Sequence, residues 1–302
     1  MKSPSEPPTE PTLKHGRALA LLPLALLSAG FLAAQPKLTF DRLALHQFED
    51  GPVLASSYEF LPGETIWFSC RIAGYQSQKK GDDRDVKLSW QMRVLDPSGL
   101  AVEKPRAGRI EEKLVLEDKT WQPKFLASFE VPPFAPGGVY RIPVTVKDEL
   151  AEAEISGQLE FQVRGPVIEP AEALVIRNFR FLQAEDDTTT FRPAVYHPGG
   201  MLWARFDIAG YKFGDNNRYS VDYGLAILGE AEAGAEPKQL FAQPEAAAES
   251  KESFYPQRIV PGALSLSLDP NVTPGSYTLV VTVHDKLGEQ NAEFREAFQI
   301  AR

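Results

Sequence analysis

Four histidines, at positions 15, 46, 197 and 284, and a single cysteine, Cys70, are all that the chain offers for nucleophilic or zinc chemistry. No two of them stand at the short spacings that bring metal ligands together. Gly-x-Ser-x-Gly, a glycine-rich phosphate loop, His-Glu-x-x-His and a dinucleotide fingerprint are all missing. No catalytic residue and no organic cofactor site can be assigned, and each histidine reads as a solvated surface group. What remains is acidic. Asp83 and Asp85 lie in "GDDRD", Asp215 lies in "GDNNR", and Asp148 and Asp285 each close an alternating apolar run. Carboxylate and amide oxygens from such loops are the ligands that calcium takes, about six to eight at a time. The same residues are ordinary turn formers, because their side chains bond to nearby backbone N–H groups.

The elements that must position these residues are written twice. "PGETIWFSCRIAGY" (62–75) returns as "PGGMLWARFDIAGY" (198–211), and "DVKLSWQMRVL" (85–95) corresponds to "RYSVDYGLAIL" (218–228). "FLASFEVPPFAPGGVYRIPVTVKDEL" likewise corresponds to "ALSLSLDPNVTPGSYTLVVTVHDKL", which sets Tyr140 against Tyr277 and Asp148 against Asp285. The offset drifts between 133 and 138 residues, as loop insertions between matched strands would make it. Two homologous domains are expected.

Val86, Leu88, Trp90, Met92 and Val94 alternate with polar residues, as do Tyr219, Val221, Tyr223, Leu225 and Ile227. A period of two marks half-buried strands. Each copy holds about six or seven such runs, broken by Pro, Gly, Asn and Asp and without an amphipathic helix in the matched regions. The expected fold class is therefore all-β, with two tandem antiparallel sandwiches over 37–163 and 171–302. "RGPVIEP" (164–170) reads as a short, stiff linker.

"PGGVYRIPVTVKD" and its copy "PGSYTLVVTVHD" resemble the start of strand F in immunoglobulin-like and fibronectin-like sandwiches, where a glycine turn precedes a tyrosine whose hydroxyl bonds back across the corner. The resemblance implies that Tyr140 and Tyr277 are those tyrosines and that Trp90 and Tyr223 fill the inter-sheet space. It implies no disulfide, since Ile142 and Leu279 stand where the cysteine would be. It also brings the "GDDRD" and "GDNNR" loops to the same pole as Asp148 and Asp285, which makes Asp83, Asp85, Asp148, Asp215 and Asp285 the calcium candidates. Pro143, inside the strand F run, predicts a bulge or a locally unpaired ladder. "FLPGETIWFSCRI" is similar to the opening of macroglobulin-type domains. Their thioester needs Cys-Gly-Glu-Gln, and here Leu287 stands before Gly288, Glu289 and Gln290, so none can form.

Lys2, Lys14 and Arg17 precede the apolar run "ALALLPLALLSAGFLAA" (18–34), the order of an export signal. Residues 1–34 read as a signal peptide or an N-terminal anchor, and the rest as a periplasmic, cell-surface or secreted protein. Membrane contact would then run through that segment alone. The net charge is −9 with no basic block, which argues against nucleic acid as a partner. With one cysteine no intramolecular disulfide is possible, and Cys70 falls in the alternating core run Ile66, Phe68, Cys70, Ile72.

Binding residues are sought at two places. Trp67 and Trp203 recur with outward parity, as a protein or sugar anchor would. The second copy carries a long insertion, 229–258, rich in Ala and Glu, which reads as a surface excursion with a short helix. Its bulky groups are Leu240, Phe241, Phe254 and Tyr255, the first candidates for a partner site. The functional expectation is an exported cell-envelope protein, binding or structural, that acts through noncovalent contacts with an envelope protein or glycan. The alternatives are a carbohydrate-binding module and, further off, a secreted hydrolase with two facing carboxylates.

Overall fold

Alternating apolar residues can bury one face only by forming sheets that lie against other sheets. The computed structural model describes residues 37–230 and 236–301 and is all-β, with no α-helix among them. The expected export segment, 1–34, lies outside the described residues.

The first half begins with β1 (Thr39–His46), β2 (Glu59–Phe60), β3 (Thr65–Ala73), β4 (Gln78–Lys80) and β5 (Asp83–Met92). It continues with β6 (Arg106–Leu114), β7 (Lys124–Glu130), β8 (Gly138–Asp148) and β9 (Ala153–Val163). The second half holds β10 (Val175–Leu182), β11 (Val195–Tyr196), β12 (Met201–Ala209) and β13 (Tyr219–Gly229). It closes with β14 (Gln239–Lys251), β15 (Ile259–Ser267), β16 (Gly275–Asp285) and β17 (Gln290–Ile300). In the first half a three-stranded sheet, β1-β3-β7, faces a six-stranded one ordered β2-β9-β8-β5-β4, with β6 also on β5. The second half repeats this with β10-β12-β15 and β11-β17-β16-β13-β14. Most pairings are antiparallel, but β2 runs parallel to β9, as β11 does to β17.

Each half has its own apolar core between its sheets. Ile66, Phe68, Cys70 and Ile72 from β3 meet Leu88, Ile142 and Val146 in the first; Leu202, Phe206 and Ile208 meet Val221, Leu279 and Val283 in the second. From Pro36 onward the chain nevertheless forms one compact unit.

The repeated phrase has a mechanical reading. Gly74 and Gly210 have φ of 67° and 77°, and a β-carbon there would fall 2.1 Å from the Lys37 carbonyl oxygen and 2.0 Å from that of Ala173. Only glycine satisfies both the left-handed backbone and the close approach. Tyr140 donates its hydroxyl hydrogen bond to the Pro136 carbonyl at 2.9 Å, and Tyr277 donates to the Thr273 carbonyl, each four residues back. Pro143 leaves the mark expected of it. The β5·β8 ladder stops at Met92↔Val144 and resumes only as the bridge Leu95↔Arg141, whereas β13·β16 runs unbroken.

Candidate functional site

The insertion 229–258 forms no helix among its described residues; residues 231–235 lie outside them. Its main element is β14, which pairs with β13 from Tyr219↔Lys251 to Leu228↔Gln239. Ala- and Glu-rich composition favours helix only weakly, and a partner strand overrides it. Two irregularities interrupt this ladder: Leu240 is extra between Ile227↔Phe241 and Leu228↔Gln239, and between Tyr223↔Ala247 and Leu225↔Gln243 residues 244–246 oppose Gly224 alone. Pro244 is accommodated there, with its carbonyl so near Gly224 that a β-carbon would fall 2.1 Å away.

β14 is the last strand of its sheet, and its outer edge has no neighbouring strand among the described residues. Leu240 and Phe241 on it are 51% and 41% exposed, and Phe254 beyond it is 46% exposed. Tyr255 behaves differently and corrects its reading as a partner residue. Its ring joins the core of the first half, and its hydroxyl donates to Asp96 Oδ2 at 2.9 Å. Asp96 is fully buried; its Oδ1 accepts from Ser98 Oγ at 2.7 Å and from the Leu100 N–H at 2.8 Å, and Arg258 Nη2 lies 3.8 Å from Oδ2. Burial, with the Asp96 carboxylate beside it, pushes the Tyr255 phenol far above its ordinary range. The residue therefore joins the two halves and presents nothing to solvent.

The five aspartates read as a calcium set do not converge. Among the described residues no group of three or more His, Cys, Asp or Glu is placed to hold a metal ion. Asp148 and Asp285 are buried and occupied by other donors. Asp148 accepts from the N–H groups of Gln76, Leu150 and Ala151, and Asp285 from those of Lys212 and Leu287 and from Gln290 Nε2. Gln76 and Lys212 each follow the tyrosine that ends the repeated phrase, so the matched aspartates pin one strand end to another. Asp85 is buried with Oδ2 3.5 Å from Lys80, Asp83 is half-buried on β5, and Asp215 is exposed in a 3-10 turn (Asp215–Asn217). The asparagines of that turn hold the strand that leaves β14: Asn216 donates to Glu252 Oε1 at 2.7 Å and Asn217 to the Phe254 carbonyl at 2.6 Å.

Trp67 and Trp203 are half-buried on the middle strands β3 and β12. Cys70 is fully buried and its thiol is pushed up to about 12 by burial. His197 is exposed, but His46 is not the surface histidine that its isolation in the sequence suggests. It is buried, with Nδ1 donating to the Gly51 carbonyl at 2.6 Å and Nε2 2.7 Å from Ser69 Oγ. His284 bonds Asp222 Oδ1 at 2.7 Å, and Lys286 reaches the other oxygen of the same buried carboxylate at 2.9 Å. These partners are more than sixty residues apart in the chain, except for Lys286, which follows two residues after His284; no local motif announces them. Compared with known proteins, the chain matches no family model and no curated protein, so its functional reading rests on this geometry.

Proposed function

We propose that the chain is an exported cell-envelope protein of two duplicated immunoglobulin-like sandwiches, acting by noncovalent binding of a protein partner. The observation that carries the binding role is β14: thirteen residues long, unpaired along its outer edge, with Leu240 and Phe241 exposed on it. On either side of the Pro244 bulge such an edge offers backbone N–H and C=O groups to an added strand. The recurring sheet orders, the paired tyrosine hydrogen bonds and the paired aspartate clamps support descent from one duplicated domain. The charge-then-apolar order of residues 1–34 supports export.

The test is capture from solubilised envelope of the source organism by the immobilised chain and by a Leu240→Glu, Phe241→Glu double variant. One protein retained by the parent and lost from the variant, at equal thermal stability, is the expected result. Retention that is the same for both, or absent from both, would overturn the reading.

A further inference from the structure

The second half contains a cavity of about 420 Å³ lined by β10, the segment that leads into β11, and β17. That volume is within the usual span of small-molecule sites. Phe179, Phe181, Phe191 and Phe298 give it an aromatic lining, and Arg180, Arg192 and Glu296 bring charge to it. None of the three forms an ion pair among the described residues. Arg180 Nε is sealed from solvent and has no acceptor among the described residues. A donor left in that state is costly, and native structures rarely leave one without a reason.

The first half shows what the fold itself requires at these positions. Arg180 pairs with Arg205 on β12, and the corresponding pair in the first half is Ala44 with Ser69. Glu296 pairs with Leu279, and the corresponding pair is Leu159 with Ile142. Ala44 is buried and Leu159 packs against the core, so the architecture closes with two apolar residues where the second half has a cation and an anion. The bulges differ as well. In β1 the extra residue is Asp41; in β10 the irregularity lies at Asn178 and Phe179, directly before Arg180, with Asn178 at φ 52°. Bulges of this kind re-aim the adjoining side chains and recur beside binding sites.

We propose that this cavity binds a small monocarboxylate whose body is aromatic or branched apolar. The Arg180 guanidinium supplies charge-assisted donors for the carboxylate, and the phenylalanines bury the body. Glu296 sets the charge limit, since a second negative charge on the ligand would face it. This is independent of the β14 edge, which belongs to another part of the same half.

Calorimetric titration of the full chain with 3-phenylpropionate tests it, with 3-phenylpropan-1-ol as the neutral match and phenyl phosphate as the dianion. Saturable binding of the acid is expected, at least about tenfold tighter than of the alcohol or the phosphate. Arg180→Gln should weaken it by at least about tenfold, and Glu296→Gln should tighten it, because removing the like charge favours the anion. Circular dichroism melting of both variants checks that they fold. No saturable binding of the acid, an alcohol or phosphate that binds as well, or a Glu296→Gln variant that binds the acid more weakly would overturn the proposal.

Discussion

Asp222 is buried on β13, between the His284 ring and the Lys286 ammonium. Burial by itself would raise its pKa; the two hydrogen bonds outweigh that and hold the carboxyl below its ordinary 3.8. A folded value below the unfolded one means stabilisation that is present above about pH 4 and lost as the pH falls through the folded value. Asp222→Asn should therefore cost about 1 kcal/mol at neutral pH, a modest figure because both cations are partly solvated. The variant should lose less stability than the parent on acidification, so the two curves converge in acid. Urea unfolding across that range checks it, and parallel curves would show that the carboxylate carries no such linkage. Nothing in the sequence pointed to this trio. Asp222 stands beside the apolar run of its strand, and only the β13·β16 register brings His284 opposite it. His46 is hidden in the same way, because its partner Ser69 belongs to the neighbouring strand β3.

The strands of the matched runs were legible because alternation with period two is a local property that each segment carries by itself; their order within the sheets was not, since pairing joins distant segments. The repeated Ile-Ala-Gly-Tyr was legible too, and its glycine gives the sharpest element-level prediction. Gly210→Ala should destabilise the protein by at least about 2 kcal/mol, combining a left-handed backbone with a steric collision at the Ala173 carbonyl. Gly63→Ala, at φ 89° but with nothing within 4 Å, should cost about half as much. Equal losses in chemical denaturation would mean that the close approach contributes nothing. The insertion was misread at this scale. "QLFAQPEAAAESK" has the composition of a weak helix, and the pairing partner that makes it a strand lies earlier in the chain, in β13. The recurrence of Asp148 and Asp285 was visible in the sequence, but its reason, backbone donors on another strand, was not.

For the whole molecule the decisive contact is Tyr255 against Asp96. Tyr255→Phe should cost about 1.5–3 kcal/mol, because it removes a hydrogen bond to a buried carboxylate, and Tyr255→Ala more, because it also leaves a hole in the core of the first half. Calorimetry should show one unfolding transition in the parent and two in Tyr255→Ala; one unaltered transition in that variant would dismiss the contact as a coupling element. The linker 164–170 was the only join that the sequence offered, since an exposed-looking tyrosine at the end of an insertion gives no sign of its destination. That destination bears on the order in which the protein is made. The ribosome delivers residues 37–163 before Tyr255 exists, and domains generally fold from the amino end as they emerge. Here the earlier half stays short of one core side chain until β10 to β14 have been made, so its packing is completed only after the later half has begun to emerge.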